Sequence, residues 1–452
     1  MAADIPAKLN GLQQHITKHH SGLRLLDPAH PDFEAVNACF IKREAADAPC
    51  AIARPQNAAH VQALVKWCTE HGLDFVVRSG GHDCAGRSMV PGVLTVDMRD
   101  IRHVHVDGDG ATATVDGGTL FRDLATELDA RGLITPVGTV ASVGYVGWAT
   151  LGGYGPFSTS HGLGVDQIVG AKLVDHKGEL VDADGGLLKG IRGGGGIFGI
   201  IVELTIKVYP LKELLVSLLV FESSDLTATW KSYTEGYEAM MTSGDAPRAL
   251  QLQPFGIELP HLGKVLAISA TWASADQEEG KKWFAKVATF GNCLMNNPEP
   301  RSVAAGSWGR AYTLNLRRYT PETAAVLAKH TALLPGGGIA MSLHSLRPSP
   351  DPSPSTSVFG ARVAHVMLEL IAMTPQRDMQ ALGDAWSSDL IRDLRARDPE
   401  NIMDSAYVSL LADDESDYLR IYGVQNYEDL VALKRKYDPD NVFKYAVPRL
   451  GV

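Results

Sequence analysis

Glycine and its placement constrain this chain more than any other sequence feature. Of the 452 residues 45 are glycine, and they concentrate in the first half, notably at positions 80–81, 117–118, 152–153 and 193–196. Each of these groups lies between apolar, β-branched segments. Because glycine tolerates a positive φ angle and lets the backbone come close to another molecule, several such loops predict a cradle for a large ligand.

Charge and length exclude whole classes of protein. The chain carries 42 Lys and Arg residues against 52 Asp and Glu residues, a formal net charge of −10, which argues against a nucleic-acid partner. A hydrophobic fraction of 45% is too high for a disordered chain. At this length we expect roughly two or three folded domains.

Cysteine usage and the N-terminal stretch bear on location. The five cysteines form no CxxC pattern, and the first 20 residues lack the apolar core of a signal peptide. We therefore expect reduced thiols and an intracellular, cytoplasmic location. We expect no membrane span, because no apolar stretch approaches the required length of about 18 residues. We identify no metal-ligand pattern.

Up to Pro210 the chain predicts an α+β domain. Short strands rich in β-branched residues are interspersed with helices, without the regularity of a βαβ repeat. The first strong helix has Asn57 as its N-cap and Gly72 as its stop. We predict strands at 51–54, 74–78, 94–97, 103–106, 111–115 and 198–209, a strand pair within 167–181, and helices at 58–71 and 120–130.

A second domain is predicted after Pro210, where the glycine density falls. Its pattern favours an antiparallel sheet with helices on one face, which leaves the other face to meet another part of the protein. We predict strands at 214–221, 248–255, 264–272, 339–346 and 361–372, and helices at 225–241, 276–290, 321–334 and 376–397. The proline-rich stretch 348–354 predicts a solvated connector.

Three glycine phrases carry the chemistry. RSGGHD at 78–83 directly follows a predicted strand, and its two glycines let successive N–H groups turn toward an anion such as a pyrophosphate. Alone, this phrase is typical of an ordinary turn. The phrases VGYVGWATLGGYG at 143–155 and RGGGGIFG at 192–199 favour the anion site.

Together these phrases resemble the FAD-linked oxidoreductases of the vanillyl-alcohol oxidase and berberine-bridge-enzyme type. The matching text is VVRSGGHDCAGRS, LTVDMRDI, the stretch 143–181, RGGGGIFGIIVELTIKVYP and YEDLVALKRKYDPDNVF. The resemblance implies the PCMH-type fold: a two-part FAD-binding domain and a substrate domain whose antiparallel sheet is covered by helices. The implied divisions are 1–210 for FAD binding, 211–420 for the substrate, and 421–452 returning to the FAD-binding domain.

The resemblance also implies how FAD is attached. In that family the histidine of the GGH phrase bonds to the flavin 8α-methyl group, which makes His82 the predicted covalent link. The alternative is a turn histidine bonded to its neighbours. Many relatives add a cysteine link at the position of Val140, so the resemblance implies a single link here. We interpret Cys84 as a small packing residue.

Other cofactor contacts carry over position by position. The implied FAD-binding residues are Arg78, Ser79, Gly80, Gly81, Asp83, Ser88, Val143, Gly144, Gly147, Gly152, Gly153, Asp166, Gly199, Ile200 and Asn441. Three positions depart from the family's pattern: Trp148 stands where relatives often have His, and Ile197 and Gln167 stand where they often have Asn.

Candidate catalytic residues lie in the second domain. Strand alternation in the segment 364–372 makes one face wholly apolar and puts His365 and Glu369 on the other, with Met367 and Ile371. We predict Glu369 as the base, with His365 and Tyr407 as further catalytic residues; the alternative is that Glu369 and His365 pair with each other or reach solvent. Gln251, Gln253, Ser342 and His344 share faces on neighbouring strands and are predicted to contact the substrate. Tyr407 resembles a tyrosine of the family's Tyr-x-Asn-Tyr phrase.

The resemblance implies an oxidase. Such an enzyme transfers a hydride from a small hydroxylated or amine metabolite to FAD, and O2 then reoxidises the flavin to give H2O2. A valine at position 143, as here, is the residue that leaves a path for O2 in relatives. The alternatives are an oxidative cyclase of secondary metabolism and an inactive relative that binds a ligand in the same cleft.

Overall fold

The computed structural model describes residues 4–44, 47–211, 213–297, 307–347, 356–411 and 417–450. In these ranges helices pack against four β-sheets, which confirms the α+β class. None of these helices is long and apolar enough to cross a membrane. All five cysteines lie in the described ranges, and none is in a disulfide. The connector predicted at 348–354 lies outside the described residues.

The first sheet carries the RSGGHD loop. Three of its four strands are parallel, in the order β1-β2-β4-β3, so helix α3 must cross over between β2 and β3. As predicted, Asn57 caps this helix by accepting from the His60 N–H, and Gly72 ends it at φ 61°. The elements are α1 (Ile5–His19), β1 (Arg24–Leu26), α2 (Phe33–Asn37), β2 (Ala51–Arg54), α3 (Ala58–His71), β3 (Phe75–Arg78) and β4 (Leu94–Asp97).

The second sheet is antiparallel. The other two glycine phrases lie in segments that connect strands in this part of the chain, 143–155 before β8 and 192–199 before β10. Its strand order is β5-β6-β10-β8-β9, and β7 pairs separately with β11. The predicted strands at 103–106 and 111–115 and the pair within 167–181 are confirmed. The elements are β5 (Val104–Val106), β6 (Thr112–Asp116), α4 (Phe121–Asp129), β7 (Leu133–Ile134), α5 (Tyr145–Thr150), α6 (Ser158–His161), α7 (Gly164–Gln167), β8 (Ile168–Val174), β9 (Leu180–Asp182), α8 (Gly185–Gly194), β10 (Ile200–Lys207) and β11 (Tyr209–Pro210).

A seven-stranded antiparallel sheet follows, in the order β15-β12-β14-β13-β17-β18-β16. Its helices cover one face, where Trp230, Leu327, Leu368 and Leu390 belong to the largest core. The elements are β12 (Leu215–Phe221), α9 (Leu226–Ser243), β13 (Leu250–Leu259), β14 (Gly263–Trp272), α10 (Gln277–Ala288), β15 (Cys293–Asn297), β16 (Trp308–Leu316), α11 (Pro321–Ala332), β17 (Ala340–Leu346), β18 (His365–Thr374) and α12 (Gln380–Arg397). The two edge strands, β15 and β16, were not predicted from the sequence.

The C-terminal residues pack back on the first two sheets. Helices α13 (Tyr418–Tyr422) and α14 (Val424–Tyr437) lead there, and α14 contacts α8. The buried Lys434 ammonium pairs with Asp438 and donates to the Ile197 carbonyl at 2.8 Å. Phe443 meets Phe75 edge-on, with ring centroids 5.9 Å apart. The division at 1–210, 211–420 and 421–452 stays a proposal, and these contacts support its third part.

Candidate functional site

The loop after β3 presents His82. Its Nε2 atom lies 2.8 Å from the Ser142 hydroxyl, and its ring stacks on Phe40 with centroids 4.5 Å apart. Burial lowers the pKa of His82 to about 4. The imidazole is therefore neutral at physiological pH and keeps a nitrogen lone pair, which is what a nucleophile requires.

Two glycine loops cross beside His82. A Cβ atom on Gly80 would lie 2.2 Å from the Gly144 nitrogen, and one on Gly144 would lie 2.6 Å from the Ser79 hydroxyl. That hydroxyl donates to the Gly117 carbonyl at 2.8 Å. The contact between the loops themselves therefore requires glycine at positions 80 and 144, in addition to any ligand they hold.

The crossing leaves backbone donors open. Among the described residues, the N–H groups of Gly80, Gly81, His82, Gly144 and Gly147 have no acceptor. Gly147 is also the exposed position of α5, and a Cβ atom on it would have no described atom within 4 Å. Adjoining open N–H groups make an anion-binding concavity. The residues present thus fit FAD. The N–H groups can bind its pyrophosphate, and the space beside Gly147 can hold its ring.

The side chain of Arg78 is bound by other groups of the protein. Its guanidinium is fully buried and lies 2.8 Å from the Asp97 carboxylate. Burial alone would raise the pKa of Asp97, but Arg78 and Arg99 beside it lower that pKa overall. A contact from Arg78 to FAD would therefore come from its backbone, and its predicted role stays a prediction.

Two further predicted carboxylates also bond to protein groups. Asp83 forms an ion pair with Arg87 at 2.7 Å. Asp166 accepts from the Leu163 N–H at 2.8 Å and pairs with Arg362. In both cases the carboxylate is turned to a guanidinium of the protein, so these two roles also stay predictions.

The remaining predicted cofactor residues occupy two kinds of place. Gly152 and Gly153 have positive φ angles, and a Cβ atom on Gly152 would lie 2.8 Å from the Phe359 ring. Ser88 and Val143 are half-buried, Gly199 packs against Leu173, Ile200 is buried in a core, and Asn441 follows α14 at φ 49°. The departing side chains Trp148 and Gln167 hydrogen-bond to backbone carbonyls.

The face of the seven-stranded sheet opposite its own helices carries a polar cluster around Glu369. Register puts Ser342 opposite Glu369 on the neighbouring strand. His344 Nε2 lies 3.1 Å from the Glu369 carboxylate and 3.2 Å from both the Ser342 hydroxyl and the Gln253 amide nitrogen. The Gln253 amide donates to Ser342 at 2.7 Å. The structure therefore brings four predicted residues into one hydrogen-bonded group.

Gln251 and His365 have their hydrogen-bond partners outside this group. Gln251 accepts from the Thr159 N–H at 3.1 Å and donates to the Ser345 carbonyl at 3.2 Å, so it links helix α6 to the sheet. His365 accepts at Nε2 from the Tyr154 hydroxyl at 2.7 Å, while its Nδ1–H donates to the Val363 carbonyl at 2.8 Å. The alternative of a Glu369–His365 pair is thus wrong, because each residue has a different partner.

Burial sets the protonation of the residues around the cluster. It lowers the pKa of His365 to about 4 and raises the pKa of Tyr154 and of Tyr407. Burial also raises the pKa of Cys84 to about 12, with nearby Asp83 and Glu369 adding to the effect. Near neutral pH the imidazole of His365 is therefore uncharged, and the phenols and the thiol keep their protons.

Tyr407 lies between the glycine loops and the cluster. Its ring meets Tyr154 edge-on with centroids 5.0 Å apart, and a Cβ atom on Gly152 would lie 3.1 Å from it. Its hydroxyl is near enough to Glu369 for the carboxylate to help raise its pKa. Tyr407 is therefore close both to the glycine loops and to a carboxylate that can accept a proton.

Sequence reasoning missed several residues of this site. Tyr154 belongs to the GGYG part of the second phrase, and its position there is a signal that we did not use. Arg87 stands in the phrase VVRSGGHDCAGRS, five residues after His82, but nothing in that phrase marks its contacts. Ser142 and Phe40 have no sequence signal of their own, because only folding brings them to the His82 loop. No group of three or more His, Cys, Asp or Glu in the described ranges could hold a metal ion.

Comparisons with known proteins agree with this geometry. Residues 49–184 match a family model described as an FAD binding domain, and residues 406–447 match one described as berberine and berberine like. The FAD-linked oxidoreductase aurO of Gibberella zeae is 30% identical over 468 residues, covering 99% of this chain and 90% of that protein. This chain belongs to the berberine-bridge-enzyme-like family. It is accordingly an FAD-linked oxidoreductase.

Solved structures show the same fold. BBE-like 1 of Physcomitrella patens aligns with a TM-score of 0.81 at 19% identity, covering 98% of this chain and all of that one. A glucooligosaccharide oxidase from Acremonium strictum aligns with a TM-score of 0.80 at 19% identity, covering 99% of both chains. The FAD-binding family that the glycine phrases predict is confirmed, as is the two-part α+β fold. The binding-only alternative is set aside.

Proposed function

We propose that this protein is an oxidase that removes a hydride from a small hydroxylated or amine metabolite, with Glu369 as the base. The observation that carries the proposal is the polar cluster of Glu369, His344, Ser342 and Gln253 next to Tyr407. When bound, FAD would supply the two-electron acceptor for the hydride, with O2 as the final oxidant and H2O2 as its product.

The protein's own groups divide the remaining tasks. A carboxylate on this face can take the proton that leaves a substrate hydroxyl or amine, because it is partly shielded from water. The His344 Nε2 contact at 3.1 Å keeps the Glu369 carboxylate in one orientation. Ser342 and Gln253, which are both buried, hold His344 in turn. Apolar neighbours Tyr154 and Phe359 exclude water from one side.

The proposal includes a single covalent link from His82 to FAD. Its support is the neutral, half-buried imidazole at the edge of the open donors. The Acremonium strictum oxidase contains a 6-S-cysteinyl, 8α-N1-histidyl FAD. In this chain the position predicted for the cysteine link is Val140, which cannot form one.

Acid precipitation tests the link. The parent protein should give a yellow pellet and a flavin mass adduct on the His82 peptide, whereas His82→Ala should release all flavin into the supernatant. A parent pellet without flavin would contradict the covalent link and leave FAD binding itself untouched. Cys84→Ser is the matched control and should keep the yellow pellet.

Glu369→Gln tests the base. The exchange keeps the shape and one hydrogen-bond acceptor but removes the negative charge, so bound flavin should keep its spectrum. We expect the anaerobic rate of flavin reduction by substrate to fall about 100-fold or more. Glu258→Gln, an exposed carboxylate on the same sheet, is the control and should reduce at the parent rate. Unchanged reduction in Glu369→Gln would remove Glu369 from the mechanism.

The substrate class is tested by anaerobic flavin bleaching against alcohols, amines and phenolic polyketides. Product analysis separates the two remaining functions. A simple oxidase releases a product that has lost two hydrogens, whereas an oxidative cyclase, of the kind found in secondary metabolism, releases a product with a new ring. H2O2 formation at one equivalent per turnover is expected for both.

A further inference from the structure

We infer that Arg87 is a positioning residue that ties the Tyr407 segment to the His82 loop. The inference rests on the proposed function only in giving Tyr407 a place in the site. Arg87 is five residues beyond His82 and is 5% exposed, so it is a buried cation that needs specific partners. The predicted functions of this loop do not use it.

One edge of the Arg87 guanidinium faces its own loop. Nε lies 3.0 Å and Nη2 lies 2.7 Å from the same Asp83 oxygen, Oδ1. The Asp83 carboxylate also accepts from the Arg87 N–H, and the Asp83 carbonyl accepts from the Gly86 N–H at 3.1 Å. This set of bonds makes residues 83–87 a closed turn that starts immediately after His82.

The other edge of the guanidinium reaches the far end of the chain. Nη1 and Nη2 donate to the Val408 carbonyl at 3.3 and 3.4 Å, and Nη2 donates to the Ser409 carbonyl at 3.1 Å. A planar guanidinium can serve a carboxylate and two carbonyls at once, because its donors point outward in a fixed fork. A lysine ammonium at the same place would lack this geometry.

The two carbonyls belong to the residues that directly follow Tyr407. Residues Val408–Leu410 form a single turn of 3₁₀ helix, in which the Leu410 N–H donates to the Tyr407 carbonyl at 2.9 Å. The Leu411 N–H donates to the Val408 carbonyl at 3.3 Å. Arg87 thus holds the backbone that aims the Tyr407 ring between Gly152 and Tyr154. A shift of this turn moves Tyr407 relative to the His82 loop.

Arg87→Lys tests the inference by keeping the charge and removing the fork. In the holoenzyme we expect hydrogen exchange at the Leu410 and Leu411 amides to rise about tenfold or more, since local opening controls such exchange. Lys434→Met is the control: it removes a buried cation whose contacts are with Ile197 and Asp438 and should leave exchange at those two amides unchanged.

A double-mutant cycle gives the second readout. Arg87→Lys should slow anaerobic flavin reduction about tenfold in the parent and less than about twofold in a Tyr407→Phe background, as expected for coupled residues. The same slowing in both backgrounds, or unchanged exchange at Leu410 and Leu411, would overturn the inference. If Tyr407→Phe itself reduces at the parent rate, Tyr407 leaves the proposed function, and the exchange measurement alone decides the role of Arg87.

Asp83→Asn provides a second variant, for the case that Arg87→Lys does not fold. It leaves the guanidinium in place and removes its charged partner. We expect the same rise in exchange at Leu410 and Leu411, to a smaller extent, because the cation is then less firmly held. Exchange at the parent rate in this variant would equally overturn the inference.

Discussion

Replacing Gly147 by alanine tests directly whether FAD lies over helix α5. Gly147 is exposed between the buried residues Val146 and Trp148, and its Cβ atom would have no described atom within 4 Å. Alanine is favoured over glycine inside a helix by about 0.5–1 kcal/mol. The flavin-free variant should therefore be at least as stable as the parent.

The effect on FAD has the opposite sign. If the cofactor fills the open ground beside Gly147, the added methyl group takes space that FAD requires. Forcing an extra methyl group into a packed contact costs about 1–3 kcal/mol, which corresponds to a loss of affinity of about 5- to 150-fold. A variant that is more stable without FAD and weaker in binding it is hard to obtain by general damage to the fold.

The assay needs reversible binding, so both proteins carry His82→Ala. FAD is titrated into each flavin-free protein and its fluorescence followed, and urea unfolding of the flavin-free proteins gives their stability. Gly80→Ala is the control, because its Cβ atom would lie 2.2 Å from the Gly144 nitrogen. That variant should lose stability even without FAD. If Gly147→Ala binds FAD with the parent's affinity, the cofactor does not lie over α5, and our placement of it is refuted.

Two further predictions concern oxygen and pH. Val143→Leu should slow reoxidation of the reduced flavin by O2 about tenfold, about 1.4 kcal/mol of barrier, with flavin reduction unchanged; stopped-flow mixing with O2 checks this. Burial lowers the pKa of His365 from 6.5 to about 4, so the unfolded chain binds the extra proton between those values. Stability should therefore fall as the pH is lowered from about 6.5 to about 4, by up to about 3 kcal/mol from this residue. His365→Gln should flatten that part of the urea-unfolding profile of the flavin-free protein, and an unchanged profile would contradict the assignment.

The strand pattern predicted the faces of the sheet but not the partners on them. Alternation placed Glu369 and His365 opposite the apolar residues of β18, and the helices indeed pack on Val366, Leu368 and Leu370. His365 lies four residues from Glu369 on the same extended strand, about 13 Å away, so the partner of Glu369 comes from a neighbouring strand, and register brings His344 there. Register depends on how neighbouring strands pair, so the sequence of one strand does not specify it.

The glycine phrases indicate the family, but they do not show what each single glycine contacts. Gly80 and Gly144 were predicted to approach a ligand, yet each is also required by the other, since the loops cross there. The motif shows that a close approach occurs. Whether the group that comes close is another backbone segment or the cofactor depends on distances between loops that are far apart in sequence.

The sequence by itself determined the class of protein: the strand pattern predicts an α+β fold and the glycine loops an anion site, because these are local properties of the backbone, and the resemblance of the phrases to a known family implies FAD. Only the tertiary structure decided which residues of the site contact one another. Arg87 meets Val408 across more than 300 residues of sequence, and Tyr154 meets His365 across more than 200. Contacts between distant segments arise from how sheets and loops pack together, and no short stretch of sequence records them.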